Sequence, residues 1–253
     1  TNDARIGVTI DKDETSANFG TIYTMTAMGQ GLQRYNPDLS KNGSKILTNL
    51  FGYDASTSTS SNKYIRSNRM VVNNGKVYIA NYAAVNSGVW IYDPNAGTTA
   101  TQMLTTEYQR AVAFIGSGSS RVMYTYNENG LKYYNIGTAD TWAGNAASPT
   151  GLYSIGMINA DGDLLATDKG LFASQHRFSG NNSADVPCFV FVNKSGTVLY
   201  KSDVLTSLSG TERGGMAISD DLSTFVIVDA VEEGSTSDIS VDFYKVVWNG
   251  ETP

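Results

Sequence analysis

Arg5, Arg69, Arg110 and Arg213 each head a short apolar run: Arg5-Ile-Gly-Val, Arg69-Met-Val-Val, Arg110-Ala-Val-Ala and Arg213-Gly-Gly-Met. A fifth run of the same kind, Ser154-Ile-Gly-Met, carries serine in that place. A guanidinium keeps its charge at any physiological pH and grips carboxylate, phosphate or sulfate through a planar fork. Four of them facing one axis would be costly unless carboxylates or an anionic ligand neutralised them. The chemistry indicated is anion binding. The plainer alternative is a set of ion pairs, because Asp3, Glu107 and Glu212 lie within three residues of Arg5, Arg110 and Arg213.

Other chemistry is thinly supported. His176 is the sole histidine and Cys188 the sole cysteine, so neither a His-based nor a Cys-based metal site can be assembled, and no disulfide can form. Cys188 falls in the apolar run Cys188-Phe-Val-Phe-Val and reads as a small buried hydrophobe. Asp11-Lys-Asp13-Glu14 and Asn159-Ala-Asp161-Gly-Asp163 space oxygen ligands as calcium loops do, but neither completes the twelve-residue loop with its terminal Glu. Solvated turns account for both. Gly116-Ser-Gly-Ser-Ser lacks the Gly-Lys-Ser/Thr of a phosphate loop, and no cofactor is expected. Glycoside hydrolysis needs converging carboxylates. The positions where they would be wanted are mostly Val, Ile, Ala and Gly, so catalysis is disfavoured.

What would position the arginines is a repeat. Its clearest copy runs Arg69-Met-Val-Val-Asn-Asn-Gly, Lys76-Val-Tyr-Ile-Ala-Asn-Tyr, Gly88-Val-Trp-Ile-Tyr-Asp-Pro and Thr101-Gln-Met-Leu-Thr. These read as four strands, the first two joined by an Asn-Gly turn that favours a tight hairpin. Equivalent first strands begin at Arg5, Arg110, Ser154 and Arg213, with steps of 64, 41, 44 and 59 residues along the chain. Units of about 40–50 residues with four strands are propeller blades, longer ones carrying insertions in loops. The extra length of the first falls in the Ser/Thr-rich stretch Ala55 to Asn62, and that of the fourth between Gln175 and Val186. The expectation is an all-β chain forming one domain over residues 1–253, a β-propeller with five blades. Because the first strand begins at Arg5 and the last unit ends after a third strand, either the fifth blade is three-stranded or the ring is a larger one of six to eight blades.

In that arrangement the arginines lie where one blade connects to the next. Asn81, Tyr82, Asn127, Glu128, Glu232 and Glu233 lie at loops between second and third strands, and so does His176 in the long insertion. All would surround one funnel mouth, with Tyr82 offering a flat face to a sugar or aromatic ring.

Composition narrows the partners. Charged residues make up 17% of the chain and there are 25 Gly, as short strands with polar turns require. The net charge of −6 argues against duplex nucleic acid or an anionic membrane, which need a broad basic surface. No apolar run is long enough to span a membrane. Thr1 in place of Met suggests a removed leader, which with the Asn/Ser/Thr-rich turns points outside the cytoplasm.

The segments Asn73-Asn-Gly-Lys-Val-Tyr-Ile-Ala-Asn-Tyr and Gly88-Val-Trp-Ile-Tyr-Asp-Pro resemble the repeat of secreted YncE-like bacterial propellers. The ending from Val241 to Pro253, with Trp-Asn-Gly-Glu-Thr-Pro, is similar to blades of surface-lipoprotein propellers of gut Bacteroidetes. The resemblance implies a periplasmic or surface binding protein, often working beside an outer-membrane transporter. It carries no active-site residue. The reading is an extracytoplasmic propeller binding an anionic small molecule or acidic glycan through Arg5, Arg69, Arg110, Arg213, Tyr82, Asn81, Asn127 and His176. A polysaccharide hydrolase or lyase and a protein-binding scaffold are the alternatives.

Overall fold

The computed structural model describes residues 5–26, 31–44, 69–81, 87–97, 99–105, 108–127, 129–140, 148–155, 162–175, 188–203, 215–233 and 236–253. Strands dominate, and no α-helix occurs among the described residues. The first sheet holds β1 (Arg5–Ile10), β2 (Ile22–Thr26) and β3 (Leu32–Tyr35). The second holds β4 (Met70–Asn73), β5 (Lys76–Asn81), β6 (Gly88–Tyr92) and β7 (Ala100–Leu104). The third holds β8 (Ala111–Ile115), β9 (Val122–Asn127), β10 (Gly130–Asn135) and β11 (Gly151–Tyr153). The fourth holds β12 (Leu164–Ala166), β13 (Gly170–Gln175), β14 (Cys188–Asn193) and β15 (Val198–Lys201). The fifth holds β16 (Gly215–Ile218), β17 (Thr224–Glu233) and β18 (Thr236–Lys245). Each sheet pairs its strands in chain order, and the fold class is a five-bladed β-propeller.

Two compact units divide the chain: residues 1–123 with 134–149, and residues 124–133 with 150–253. In the first unit β1 lies beside β4 and β4 beside β8, so successive sheets stack through their first strands. The Val72 N–H donates to Thr9 Oγ1 across the first such pair at 3.3 Å. In the second unit β12 lies beside β16.

Stacking covers both faces of a sheet, which explains why β5 does not alternate apolar with polar residues. Val77 and Ile79 point into a cluster with Tyr23, Met25 and Leu32 of the first sheet. Tyr78 and Ala80 point the other way, to Val112, Phe114 and Met123 of the third. A strand buried on both faces reads as a continuous apolar run. Its hairpin with β4 turns at Asn74 and Gly75, at φ 53° and 70°, the left-handed pair that a two-residue turn requires. In the second unit Phe172, Phe189, Phe191, Phe225 and Ile227 form the core between the fourth and fifth sheets. Each such buried side chain contributes about 1.5–3 kcal/mol.

The fourth repeat differs from its expected layout. Ser154 and Ile155 lie outside any strand, and the fourth strand of the third sheet is β11, not a stretch near Trp142. The first strand of the fourth sheet is β12, with β13 its second. Strands of three residues carry too little periodicity to be ranked from sequence.

Candidate functional site

Arg69 immediately precedes β4, and its carbonyl accepts the N–H of Ala80 at 3.0 Å. The next residue, Asn81, ends β5, and its carbonyl accepts the N–H of Gln109 at 3.1 Å. Arg110 follows and leads into β8. Main-chain pairing therefore brings Arg69, Asn81, Gln109 and Arg110 to one end of the second and third sheets, within the first unit. Asn81 and Gln109 are fully buried and Arg110 is 4% exposed. Neither the oxygen nor the nitrogen of the Gln109 side-chain amide has a hydrogen-bond partner among the described residues. A buried amide of that kind asks for an explanation, and a polar ligand or ordered water supplies one. Tyr108, 46% exposed, sits beside this group in sequence and puts an aromatic ring at the surface.

Asn81 and Arg110, chosen from sequence, are thus joined to Arg69 by adjacent backbone pairing. Tyr108 and Gln109, which no sequence pattern singles out, directly precede Arg110. Asn127 ends β9 and is 1% exposed, and its side-chain oxygen accepts the Asn129 N–H at 2.8 Å, shaping the turn into β10. Arg5 opens β1 opposite Thr26. Tyr82, Glu128, His176 and Arg213 lie outside the described residues, as do Asp3, Glu107 and Glu212. Glu232 and Glu233 are the last residues of β17, beside the connection from the second to the third strand of the fifth sheet.

A recurring position emerges that the sequence pattern had shown only in part. The last residue of the second strand is Asn81 in β5, Asn127 in β9 and Gln175 in β13, all buried. In the first sheet the last residue of the second strand is Thr26.

In the fourth sheet the residue ahead of the first strand is Asp163, not Ser154. Its main chain pairs with Ser174 just as Arg69 pairs with Ala80. Its carboxylate accepts the N–H of Leu164 at 2.7 Å and that of Met216, in β16, at 2.8 Å. Both oxygens thus accept main-chain N–H groups, so Asp163 is a clasp between the fourth and fifth sheets.

Arg121, at the turn end of β9, shows the contrasting case of a closed arginine. It is 2% exposed, and Nε donates to the Gly137 carbonyl at 2.9 Å. Nη1 donates to Asn73 Oδ1 at 3.2 Å and to the Tyr78 hydroxyl at 3.3 Å, and Nη2 to Asp140 at 3.2 Å and to the Ala139 carbonyl. Lys76 also pairs with Asp140 and, at 3.5 Å, with Asp93. Burial pushes the Asp140 carboxyl up, but hydrogen bonds from Lys76, Arg121 and Tyr78 outweigh it and hold it below the usual carboxylate range. The bond to Asp140 lifts Lys76 above its ordinary value. This cluster ties the second sheet to the third.

At the first turn the Asp11 carboxylate accepts the Asp13 N–H and the Ser16 hydroxyl, as an ordinary turn does. Among the described residues no three His, Cys, Asp or Glu stand close enough to hold a metal. Cys188 is buried, which pushes its thiol up. No described helix is long and apolar enough to cross a membrane.

No family model and no curated protein matches this chain. Solved structures do. Hydrazine synthase of Kuenenia stuttgartiensis superposes with a TM-score of 0.60 at 10% identity over 97% of this chain and 64% of its own. TolB from Acinetobacter baumannii gives 0.51 at 14% identity, over 94% of this chain and 51% of its own. A structural-genomics protein of unknown function from Bacteroides thetaiotaomicron gives 0.50 at 12% identity, over 89% and 52%. The chain therefore spans about half to two thirds of the length of these structures. The neighbours are β-propellers, and identities this low show the fold alone.

Proposed function

We propose that this protein is an extracytoplasmic binding propeller that takes an anionic small molecule or acidic glycan at the end of its blades where Arg69 and Arg110 lie. The single observation that carries the reading is the fully buried Gln109, whose side-chain amide has no hydrogen-bond partner among the described residues, next in sequence to buried Arg110 and paired through its main chain with Asn81. A planar cation and a donor–acceptor amide on successive residues are a set suited to a carboxylate or sulfate that also carries hydroxyls. Tyr108 supplies a ring face for the body of the ligand. Arg5, and Tyr82 next to Asn81 in sequence, are proposed as further ligand contacts. Polar Asn/Ser/Thr turns and a low lysine content support a place outside the cytoplasm, at the cell surface or in the periplasm. A hydrolytic reading finds less support, because β4, β8, β12 and β16 carry no carboxylate and Asp163 is engaged by main-chain N–H groups.

Thermal-shift measurements with sulfate, citrate and galacturonate test the proposal. At least one should raise the melting temperature of the parent, and the Arg69→Ala/Arg110→Ala double variant should remain folded and lose the effect. A double variant that unfolds, together with a parent that no anion stabilises, would mean that the arginines are structural.

A further inference from the structure

We infer a second binding site, for a small oxyanion such as a carboxylate or phosphate, between the first and second sheets at Tyr23 of β2 and Arg34 of β3. Both sheets lie within the first unit. Tyr23 and Arg34 stand directly opposite one another in the antiparallel pair, so they share a face. Alternation along β3 gives the same result. Leu32, two residues before Arg34, packs with Tyr23 against Val77, Ile79 and Tyr92 of the second sheet. The Arg34 side chain therefore leaves its strand on the covered side of the sheet, and its Nε is buried.

Two hydrogen-bond donors are left over there. Tyr23 is fully buried, and neither its hydroxyl nor Arg34 Nε has a partner among the described residues. An Nε–H can only donate, so the pair asks for an acceptor. Burial pushes the Tyr23 hydroxyl up to about 12, with Asp11 and Tyr92 adding to the rise and the Arg34 charge opposing it. Burial raises Tyr92 too, again against Arg34, so the guanidinium lies near both rings. The neighbouring carboxylates are committed elsewhere. Asp11 takes the Asp13 N–H and the Ser16 hydroxyl, while Asp93 takes the Asn95 N–H and pairs with Lys76. Their charges keep the affinity for a further anion modest.

The stack of the second sheet on the third shows what completes such a set. Tyr78 holds in β5 the place that Tyr23 holds in β2, each three residues before the end of its strand. The Tyr78 hydroxyl accepts from Arg121 and donates to Asp140, whose carboxylate also accepts from that arginine. Tyrosine, guanidinium and carboxylate form a closed triangle. Between the first and second sheets the tyrosine and the guanidinium are present, and no described group accepts from Tyr23 Oη or Arg34 Nε. An external oxyanion takes the part of Asp140. Water could accept the same two bonds but would bring no charge to match the guanidinium. The site shares no residue with Arg69, Asn81, Gln109 or Arg110.

Arginine Nε–H resonances of the intact protein, followed by NMR during titration with acetate and with phosphate at constant ionic strength, test the site. The Arg34 signal, assigned by its loss in Arg34→Lys, should shift and saturate below about 10 mM with at least one of them. Tyr23→Phe should weaken that binding about tenfold, as loss of one charge-assisted hydrogen bond does. In anion-free buffer Tyr23→Phe should melt no lower than the parent, because it removes an unpaired hydroxyl. Tyr78→Phe, which removes a paired one, should melt lower. The absence of a saturable Arg34 shift up to about 10 mM, or shifts confined to the other arginines, would overturn the inference. So would an Arg34 shift unchanged by Tyr23→Phe, a Tyr23→Phe protein that melts below the parent without anion, or Tyr78→Phe melting as the parent does.

Discussion

The carboxylate of Asp163, at the head of β12, accepts the main-chain N–H of Met216 in β16 at 2.8 Å. A side chain that leads one sheet thereby fastens the first strand of the next. Its other oxygen takes the Leu164 N–H, and its own N–H donates to Ser174 Oγ. Removing it strands buried donors. Asp163→Ala should therefore cost about 2–3 kcal/mol in urea denaturation. Asp163→Asn, which keeps one acceptor, should cost less, and equal losses for the two variants would contradict the clasp.

Arg121 should resist conservative replacement. Its fork engages Gly137, Ala139, Asn73, Tyr78 and Asp140 at once, which a lysine ammonium cannot reproduce. Arg121→Lys and Arg121→Met should both lower stability by roughly 2–4 kcal/mol. In a double-mutant cycle with Asp140→Asn the losses should be non-additive. Additive losses would mean that the two side chains act separately.

The same cluster sets a dependence on pH. The folded-state pKa of Asp140 is depressed, so its stabilisation is complete above the unfolded carboxylate value of about 3.9 and disappears as pH falls through the lower folded value. Lys76 is raised, so its share is complete below about pH 10.4 and disappears as pH rises through its folded value. The melting-temperature gap between parent and Asp140→Asn should be widest between these limits and narrow below about pH 4. A gap that stays constant into acid would exclude the carboxylate as its source.

Gly88 opens β6 at φ 125°, and a Cβ there would lie 1.7 Å from the carbonyl oxygen of Leu104 in β7. Main chain, not a movable side chain, occupies the space. Gly88→Ala should cost more than about 2 kcal/mol and yield little soluble protein, since both strain and collision oppose it. Near-parental melting would show that β7 can move aside.

Leu39 is 71% exposed at φ 66° in the turn Asp38-Leu39-Ser40. Leu222 adopts the same conformation in Asp221-Leu222-Ser223, where its carbonyl accepts the Trp248 indole N–H. Leu39→Asn should raise stability by about 0.5–1 kcal/mol, because asparagine tolerates left-handed backbone better. Leu222→Asn should gain less, since Leu222 is half-buried. Thermal melts of the two variants decide this, and destabilisation by Leu39→Asn would show that its side chain serves the fold.

Much of the architecture was legible from residue patterns. Asn74-Gly75 marked its hairpin, and the runs at Lys76, Arg121 and Cys188 each became strands. The error at Ser154 came from β11 and β12, whose three residues apiece leave ranking to their neighbours. Of the site, Asn81 and Arg110 were visible as residue types. Gln109 was not, because its standing depends on losing all solvent contact, a property of tertiary packing. By sequence pattern Gln175 marks the start of an insertion, and its equivalence to Asn81 appears only with β13 in place as a second strand.

The last residue of the second strand is Thr26 in β2, Asn81 in β5, Asn127 in β9 and Gln175 in β13. Sheet register, not side-chain identity, fixes where each of these groups is displayed. A lineage can therefore retune one blade's polar group while the others stay as they are. Selectivity can change by single steps, with no need to rebuild the scaffold.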